Sequence, residues 1–506
     1  MRDSIQRISL LHKLKYIFLL PLIVVFGCKG CFEQAKKTPD WTSYLSDQKG
    51  AVLSSTPEKQ LIVFIKPGTS REAFNAFLDT AIVKYKDSAL KIISVCGSCD
   101  STLLMLEGSG VEAFINGKVA KGESGSKSEP QISGENDLLY YTSNRRISFD
   151  ATPDTLSIKE EYQNINYQDS IILAVFDTGV EPDLFQNYLV DNLSNPPCIS
   201  GATNGWNFYT WSNNWKDDNV GLHGTTVSKF ITNEIIRYQT TKVRILPVKV
   251  FNAEGFADLY TILCGFAYAS HSGANMVNAS FGFYESKTKF RNGEPISDTT
   301  TTELLKNFIS TYLTEKNILL ICAAGNKNDD DSTVRNLDEI HFYPASLSAT
   351  LPNIIPVTTV GNTGNGRVVS PNQNFSPSIV QLGVDCDFID DDYFGFVNPI
   401  NPNSNIPVAG SSFASPIAAG KMAAYFNRYK SLLNTAGSMT FATRDSIFNI
   451  LFTMPGNNFL QTDRSLLQKV NKGKVVVRNT DNAGTKKRNI NFVRGIEERG
   501  LKIIKR

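Results

Sequence analysis

Largely apolar runs mark the central part of the chain at residues 171–176, 245–250, 318–323 and 354–360, broken only by Lys249 in the second and Thr358-Thr359 in the last. None alternates polar with apolar, so each predicts a strand buried on both faces rather than one open to solvent. Between these runs the apolar spacing changes to that of helices. Leu259, Ile262, Leu263 and Phe266 fall on one helix face, and Leu304, Leu305, Phe308 and Ile309 on another. Strands alternating with helices predict an α/β domain over residues 151–455, a parallel sheet flanked by helices. Residues 444–452 add one more helix to it, and residues 475–477 a short strand in the extension at 456–506.

A different pattern fills residues 56–120. Residues 61–65 read as a strand, Pro67-Gly68 as a turn, and Thr69 with Glu72 as a capping box. Ala73, Phe74, Phe77, Leu78 and Ala81 then recur at helical spacing, followed by strands at 90–95 and 102–106 and a short helix at 111–115. This β-α-β-β-α order predicts a small, separate α+β domain. From Lys121 the chain becomes rich in Gly, Ser, Glu and Lys, so residues 121–150 are expected to be a flexible linker open to proteolytic cleavage.

Composition narrows the setting. At 506 residues the chain is too long for one ordinary core, and 41% hydrophobic with 20% charged residues is an ordinary folding composition. A net charge of +2 gives no broad electrostatic footprint for nucleic acid. The locally basic C-terminus, from Lys486 to Arg506, reads as a solvated tail. Arg2, Arg7, Lys13 and Lys15 precede an apolar run at 16–26, which fits a signal peptide and is shorter than the ~18 residues a spanning helix needs. Val25-Phe26-Gly27-Cys28 resembles a bacterial lipobox, with Phe26 bulkier than usual. That likeness implies cleavage after Gly27, a lipid on Cys28, a tether at 28–55 and a membrane-anchored exported protein. The plainer reading is a secretory signal cut near Gly27 or Gly30.

Eight cysteines suit an exported chain. Cys264 and Cys322 sit in apolar periodic stretches and are expected to be small buried hydrophobes. Cys96-Gly97-Ser98-Cys99 lacks the second pair or nearby histidine that zinc would need, so a local disulfide or two thiols are expected there.

In an open parallel sheet, functional side chains collect where strands end and helices begin. Asp177-Thr178-Gly179 follows the strand ending at Phe176, His223-Gly224-Thr225 opens a helix, and Ser412 lies where loop becomes helix ahead of Pro416. A serine hydroxyl is a poor nucleophile unless a base takes its proton and a third group orients that base. Of the chain's four histidines, only His223 has the glycine-bounded helix start, since His12 lies in the signal segment and His271 and His341 lack it.

These residues also carry a family resemblance. Asp-Thr-Gly at 177, His-Gly-Thr at 223, Ala-Ala-Gly-Asn at 323–326 and Gly-Ser-Ser-Phe-Ala-Ser-Pro at 410–416 resemble, in order, the four signatures of subtilisin-like (subtilase, S8) serine peptidases. The likeness extends over about residues 170–424. It implies a serine endopeptidase in which Ser412 attacks, His223 exchanges the proton, Asp177 orients the imidazole and Asn326 stabilises the oxyanion. It further implies that Ser280, Phe281 and Gly282 pair with substrate backbone, with Ala324 and Gly325 beside them. The segment 341–345 is similar to the floor of the primary specificity pocket, where Phe342 would make a shallow pocket for small or medium apolar side chains. The small domain at 56–120 looks like the ferredoxin-like propeptide that precedes such catalytic domains.

Thr226, Ser411 and Phe413 stand where the family usually has histidine, threonine and methionine, and none of these changes removes a catalytic group. No cofactor is required. Asp329, Asp330 and Asp331 form an acidic loop that reads as a solvated turn, with structural calcium the alternative that relatives suggest. Two other functions fit the same residues: a catalytically silent peptide-binding relative, and an esterase using the same triad.

Overall fold

A computed structural model describes residues 60–66, 68–70, 72–73, 91–96, 99–100, 102–108, 139–148, 170–193, 198–238, 242–285, 287–289, 295–297, 299–327, 335–387, 393–394, 408–434, 437–454 and 460–477. The signal segment, Cys28 and its tether, the helix expected at 111–115, the acidic loop at 329–331 and the basic tail lie outside these residues.

The long apolar runs form the middle of a ten-stranded sheet. Its main strands are β5 (Ser170–Asp177), β6 (Lys242–Lys249), β7 (Met276–Ala279), β8 (Leu319–Ala323), β9 (Ile354–Asn362), β10 (Leu382–Asp385) and β11 (Lys474–Val476), in spatial order β11-β10-β9-β8-β7-β5-β6. Every neighbouring pair in that series is parallel. Burial on both faces explains why β8 is apolar without alternation, and β7 apart from Asn278. Leu460–Thr462 adds an antiparallel edge to β11, so the sheet continues past residue 455, where the sequence pattern placed the end of the domain. Leu460-Gln461-Thr462 is too short and too mixed in polarity to leave a signal in the sequence.

The order reverses between β5 and β7: the chain steps from β5 to β6 on one side, then crosses to β7 on the other. Such a switch point opens a crevice at the carboxyl ends of the strands. Helix α1 (His223–Tyr238) and helix α4 (Ser411–Ala424) lie on one face, with α2 (Leu259–His271) and α3 (Thr299–Ile309) between them in chain order. α1 and α4 approach closely enough that a Cβ on Gly420 would sit 2.6 Å from the carbonyl oxygen of Ile231. One residue on, Lys421 Nζ pairs with Glu234 at 2.9 Å, both side chains buried.

The small domain is a four-stranded antiparallel sheet of β1 (Gln60–Ile65), β2 (Lys91–Val95), β3 (Leu103–Glu107) and β4 (Leu139–Ser143), in the order β2-β3-β1-β4. That is the split order of a β-α-β-β-α-β unit. β4 and the short strand Arg146–Ser148 occupy part of what the sequence presents as a linker at 121–150. Leu139-Tyr140-Tyr141-Thr142 is a brief β-prone stretch masked by its Gly- and Ser-rich neighbours.

Ile62, Phe64, Leu103 and Met105 join one continuous core with Leu304, Leu305, Phe308 and Ala267 of the α2–α3 face. Disulfides Cys96–Cys264 and Cys99–Cys198 cross the same interface. This corrects the expectation of a local Cys96–Cys99 pair and of a reduced Cys264: the apolar face of α2 is where the small sheet lands, and spacing along the chain cannot reveal that contact. Cys322 is a buried thiol, as its apolar surroundings suggested.

Replacing Glu234 by alanine removes the carboxylate that balances the buried Lys421 ammonium. The expected cost is roughly 3–5 kcal/mol, read as a drop of several degrees in the thermal melt; a melt unchanged from the parent would contradict the pairing.

Candidate active site

Asp177 ends β5 at the switch-point edge and is almost fully buried. Its Oδ1 lies 2.7 Å from His223 Nδ1 and accepts the Thr178 backbone N–H at 2.8 Å. A carboxylate has no proton to give, so Nδ1 donates to it and the imidazole Nε2 is the acceptor.

His223 opens α1, and the first turn of that helix is tied down from two sides. Gly224 N–H donates to Thr178 Oγ1 at 3.0 Å. Thr225 donates through its N–H at 2.9 Å and its hydroxyl at 2.7 Å to Asp217 Oδ2, and Asp217 Oδ1 accepts from Asn219 N–H at 3.2 Å. These bonds satisfy amides that a helix start leaves unpaired. Burial pushes the Asp217 carboxyl above its usual range, against the pull of the Thr225 hydrogen bonds, and the nearby Asp177 charge adds to the push. Behind Thr178, the buried Lys249 ammonium donates to the Thr178 carbonyl and pairs with Asp218 at 2.7 Å.

Ser412 is the second residue of α4 and is half-buried. Both its chain neighbours are fixed. Phe413 is buried and packs at a tilt against His223, with ring centroids 5.2 Å apart, and against Phe230 at 5.8 Å. Ser411 donates to Asn326 Oδ1 through its N–H and its hydroxyl, each at 3.3 Å. Gln373 Nε2 donates to the same Oδ1 at 2.9 Å. With Oδ1 taken by three donors, the amide of Asn326 is oriented so that Nδ2 is the group it can offer elsewhere. Thus His223 and Asn326 touch the residues on either side of Ser412.

The stretch after β7 lies next to this line. Ser280 turns inward, its hydroxyl 3.1 Å from that of Ser415, and Phe281 packs edge-on to Phe251. Gly282 faces the ring of Phe342, which would lie 2.2 Å from a Cβ placed on Gly282 and 2.7 Å from one on Gly325. Phe342 therefore fills the slot between residues 280–282 and 324–326. Ala324 and Gly325 are held by Asn374, which donates to the Ala324 carbonyl at 3.0 Å and whose N–H reaches the Gly325 carbonyl at 3.0 Å. Among the described residues, no group of three or more His, Cys, Asp or Glu side chains converges as a metal site.

The structure gathers Asp177, His223, Ser412, Asn326, the 280–282 segment and Phe342 at one carboxyl edge. Asp217 and Gln373 escaped the sequence reading. Asp217 had a signal, an acidic pair six residues before His223; Gln373 had none, because it meets Asn326 across 47 residues of chain.

The family model described as Subtilase family, Peptidase_S8, matches residues 168–451, more than half of the chain. The chain is 26% identical over 220 residues to Subtilisin-like protease 3 of Plasmodium falciparum, covering 41% of this chain and 25% of that protein. It is 27% identical over 278 residues to Cell wall-associated protease of Bacillus subtilis, covering 52% and 24%. The chain thus spans about a quarter of the length of the curated relatives it matches. Among solved structures, the epidermin leader peptide processing serine protease of Staphylococcus aureus is similar at a TM-score of 0.47 and 14% identity, over 79% of this chain and 94% of that one.

Two glycines of the site separate backbone from side-chain constraint. A Cβ at Gly224 would lie 2.1 Å from the Gly179 carbonyl oxygen, which cannot move without shifting β5; one at Gly410 meets the Asn326 amide at 3.0 Å, at a φ of 105°. Gly410→Ala is expected to cost about 1–3 kcal/mol, and Gly224→Ala clearly more. Thermal melts that rank the two the other way would contradict this placement.

Proposed function

Because the chain belongs to the subtilase family, we propose that it is a serine endopeptidase using Ser412 as nucleophile, His223 as general base and acid, Asp177 as orienting carboxylate and Asn326 as oxyanion donor. The observation that carries this reading is the buried Asp177–His223 hydrogen bond beside a serine whose two neighbours contact His223 and Asn326.

Ser412 Oγ would attack the scissile carbonyl carbon while His223 Nε2 takes its proton. The tetrahedral oxyanion would accept hydrogen bonds from Asn326 Nδ2 and the Ser412 N–H. His223 then passes its proton to the leaving nitrogen, giving an acyl-enzyme and a free amine. Water, deprotonated by the same imidazole, releases the acid and restores the serine. The imidazolium formed twice in this cycle is balanced by Asp177.

Substrate would lie as an added strand along residues 280–282. The Phe342 ring between Gly282 and Gly325 supports a shallow primary pocket taking small or medium apolar side chains. The N-terminal sheet, in the position of a propeptide, is read as an inhibitory domain, and the strand that follows it, Arg146–Ser148, pairs antiparallel with Phe256–Asp258 just ahead of α2. Export, with lipidation at Cys28, is supported by the N-terminal sequence and by two disulfides, which persist in an oxidising compartment. No cofactor enters the mechanism.

A fluorophosphonate probe is expected to label the protein at Ser412 and to leave Ser412→Ala unlabelled. Turnover of a peptide substrate should fall by roughly 10⁶ in Ser412→Ala and by roughly 10² to 10³ in Asn326→Ala, the losses known for the equivalent changes in subtilisin, the family's namesake. An unlabelled parent protein would point to a silent peptide binder, and labelling with ester but no peptide hydrolysis to an esterase.

Phe342→Ala is expected to shift cleavage of a peptide library from small toward large aromatic residues before the cut. Dominant cleavage after Arg or Lys in the parent would overturn the pocket assignment.

A further inference from the structure

The interface between the N-terminal sheet and the α2–α3 face is built to be kept. α2 begins without a side-chain cap of its own: its preceding residue, Asp258, makes none. Its first amides are instead met from the other domain. Leu259 N–H donates to the Arg145 carbonyl at 3.0 Å, and Tyr260 N–H reaches Asn144 Oδ1 at 3.4 Å. Phe64 packs edge-on to Phe308 at 5.1 Å, and the Arg145 guanidinium sits 4.9 Å from the Phe283 ring. Asp100, at the end of the β2–β3 connection, is buried near Tyr312 beyond α3, and its charge adds to burial in pushing that hydroxyl's pKa up.

Cys96 and Cys99 lie in that same connection, and neither pairs with the other. Cys96 is bonded to Cys264 in the middle of α2, and Cys99 to Cys198, so each bridge joins the sheet to the catalytic domain. Cys96, Cys99 and Cys264 are buried, which keeps soluble thiols away from these sulfurs.

We propose that the N-terminal sheet is a permanent, covalently held part of the working enzyme: after any backbone cut between the domains, the two disulfides keep it on the α2–α3 face. Each bridge would form when a pair of thiols exchanges with the disulfide of an oxidoreductase in the exported compartment, which leaves as a dithiol. The position of the bridges permits local release. They anchor the loop after β2, far along the chain from Arg146–Ser148, so a cut beyond Ser148 frees that strand from Phe256–Asp258 while the sheet stays docked. The covalent link is independent of the peptidase reading; only the origin of the natural cut rests on it.

The test uses the full chain, expressed in an oxidising compartment and thiol-blocked before denaturation. A recognition sequence for a specific protease is inserted between Ser148 and Ser170, so that a cut between the domains is available whether or not the protein processes itself. Denaturing electrophoresis and intact mass of the cut protein should show one species without reductant and two with it. Cys264→Ser with Cys198→Ser should release the N-terminal fragment without reductant. Where that variant fails to accumulate, peptide mapping of the parent decides, with linked peptides Cys96–Cys264 and Cys99–Cys198 expected. Release of the fragment from the oxidised parent without reductant, or a mapped Cys96–Cys99 bridge, overturns the proposal. Absence of fluorophosphonate labelling would sink the peptidase reading and leave this result untouched.

Discussion

The relative position of α1 and α4 is the constraint on which the site depends, because His223 begins one helix and Ser412 lies in the first turn of the other. Two features fix it. Gly420 lets the helix backbones meet at Ile231, and the Lys421–Glu234 pair is satisfied at only one offset of the two helices. A slip of one turn, 5.4 Å, would strand two buried charges. Buried ion pairs add little net stability against apolar substitutes, so the sense of this one lies in register. What it registers, three turns away, is the imidazole and the hydroxyl.

That clamp sets the helices, and local polar bonds set the side chains. α1 hands its first amides to Thr178 and Asp217, so His223 enters the helix at one angle and meets Asp177. Phe413 then closes the far side of the imidazole, excluding water from a hydrogen bond that gains strength where the dielectric is low. Asn326 is handled the same way from the opposite flank. Ser411 and Gln373 both donate to its Oδ1, so the alternative amide orientation would oppose donor to donor. An amide proposed to meet an oxyanion works by being oriented beforehand, and Asn326 is oriented by Ser411 and Gln373.

Much of this could be read from the chain alone, and what escaped did so for physical reasons. Strands such as 319–323 announced themselves because burial on both faces leaves no polar residue in the run. Asp177, His223 and Ser412 stood out because each sits at a strand end or helix start marked by glycine or proline. Gln373 and Asp217 are ordinary polar residues whose work depends on which surface they face after folding. The Cys96-to-Cys264 bridge spans 168 residues, and no local pattern encodes a partner that distant. Strand β4 was hidden for a third reason, a brief β-prone stretch set in a linker-like composition.

The N-terminal sheet completes the fold that it precedes in the chain. Without it, α2 would begin with unmet amides at Leu259 and Tyr260, and the α2–α3 face would expose the side that receives Ile62, Phe64, Leu103 and Met105. Exposed apolar faces and uncapped helix starts both carry a cost in water. In the chain-entropy view a bridge closing ~100 residues removes roughly 4.7 kcal/mol of unfolded-state freedom. Two bridges sharing one interface also turn dissociation of the sheet into an intramolecular step, at an effective concentration no free fragment could match. A segment needed only to be discarded has no use for either property; a segment that caps a helix and covers a core has use for both.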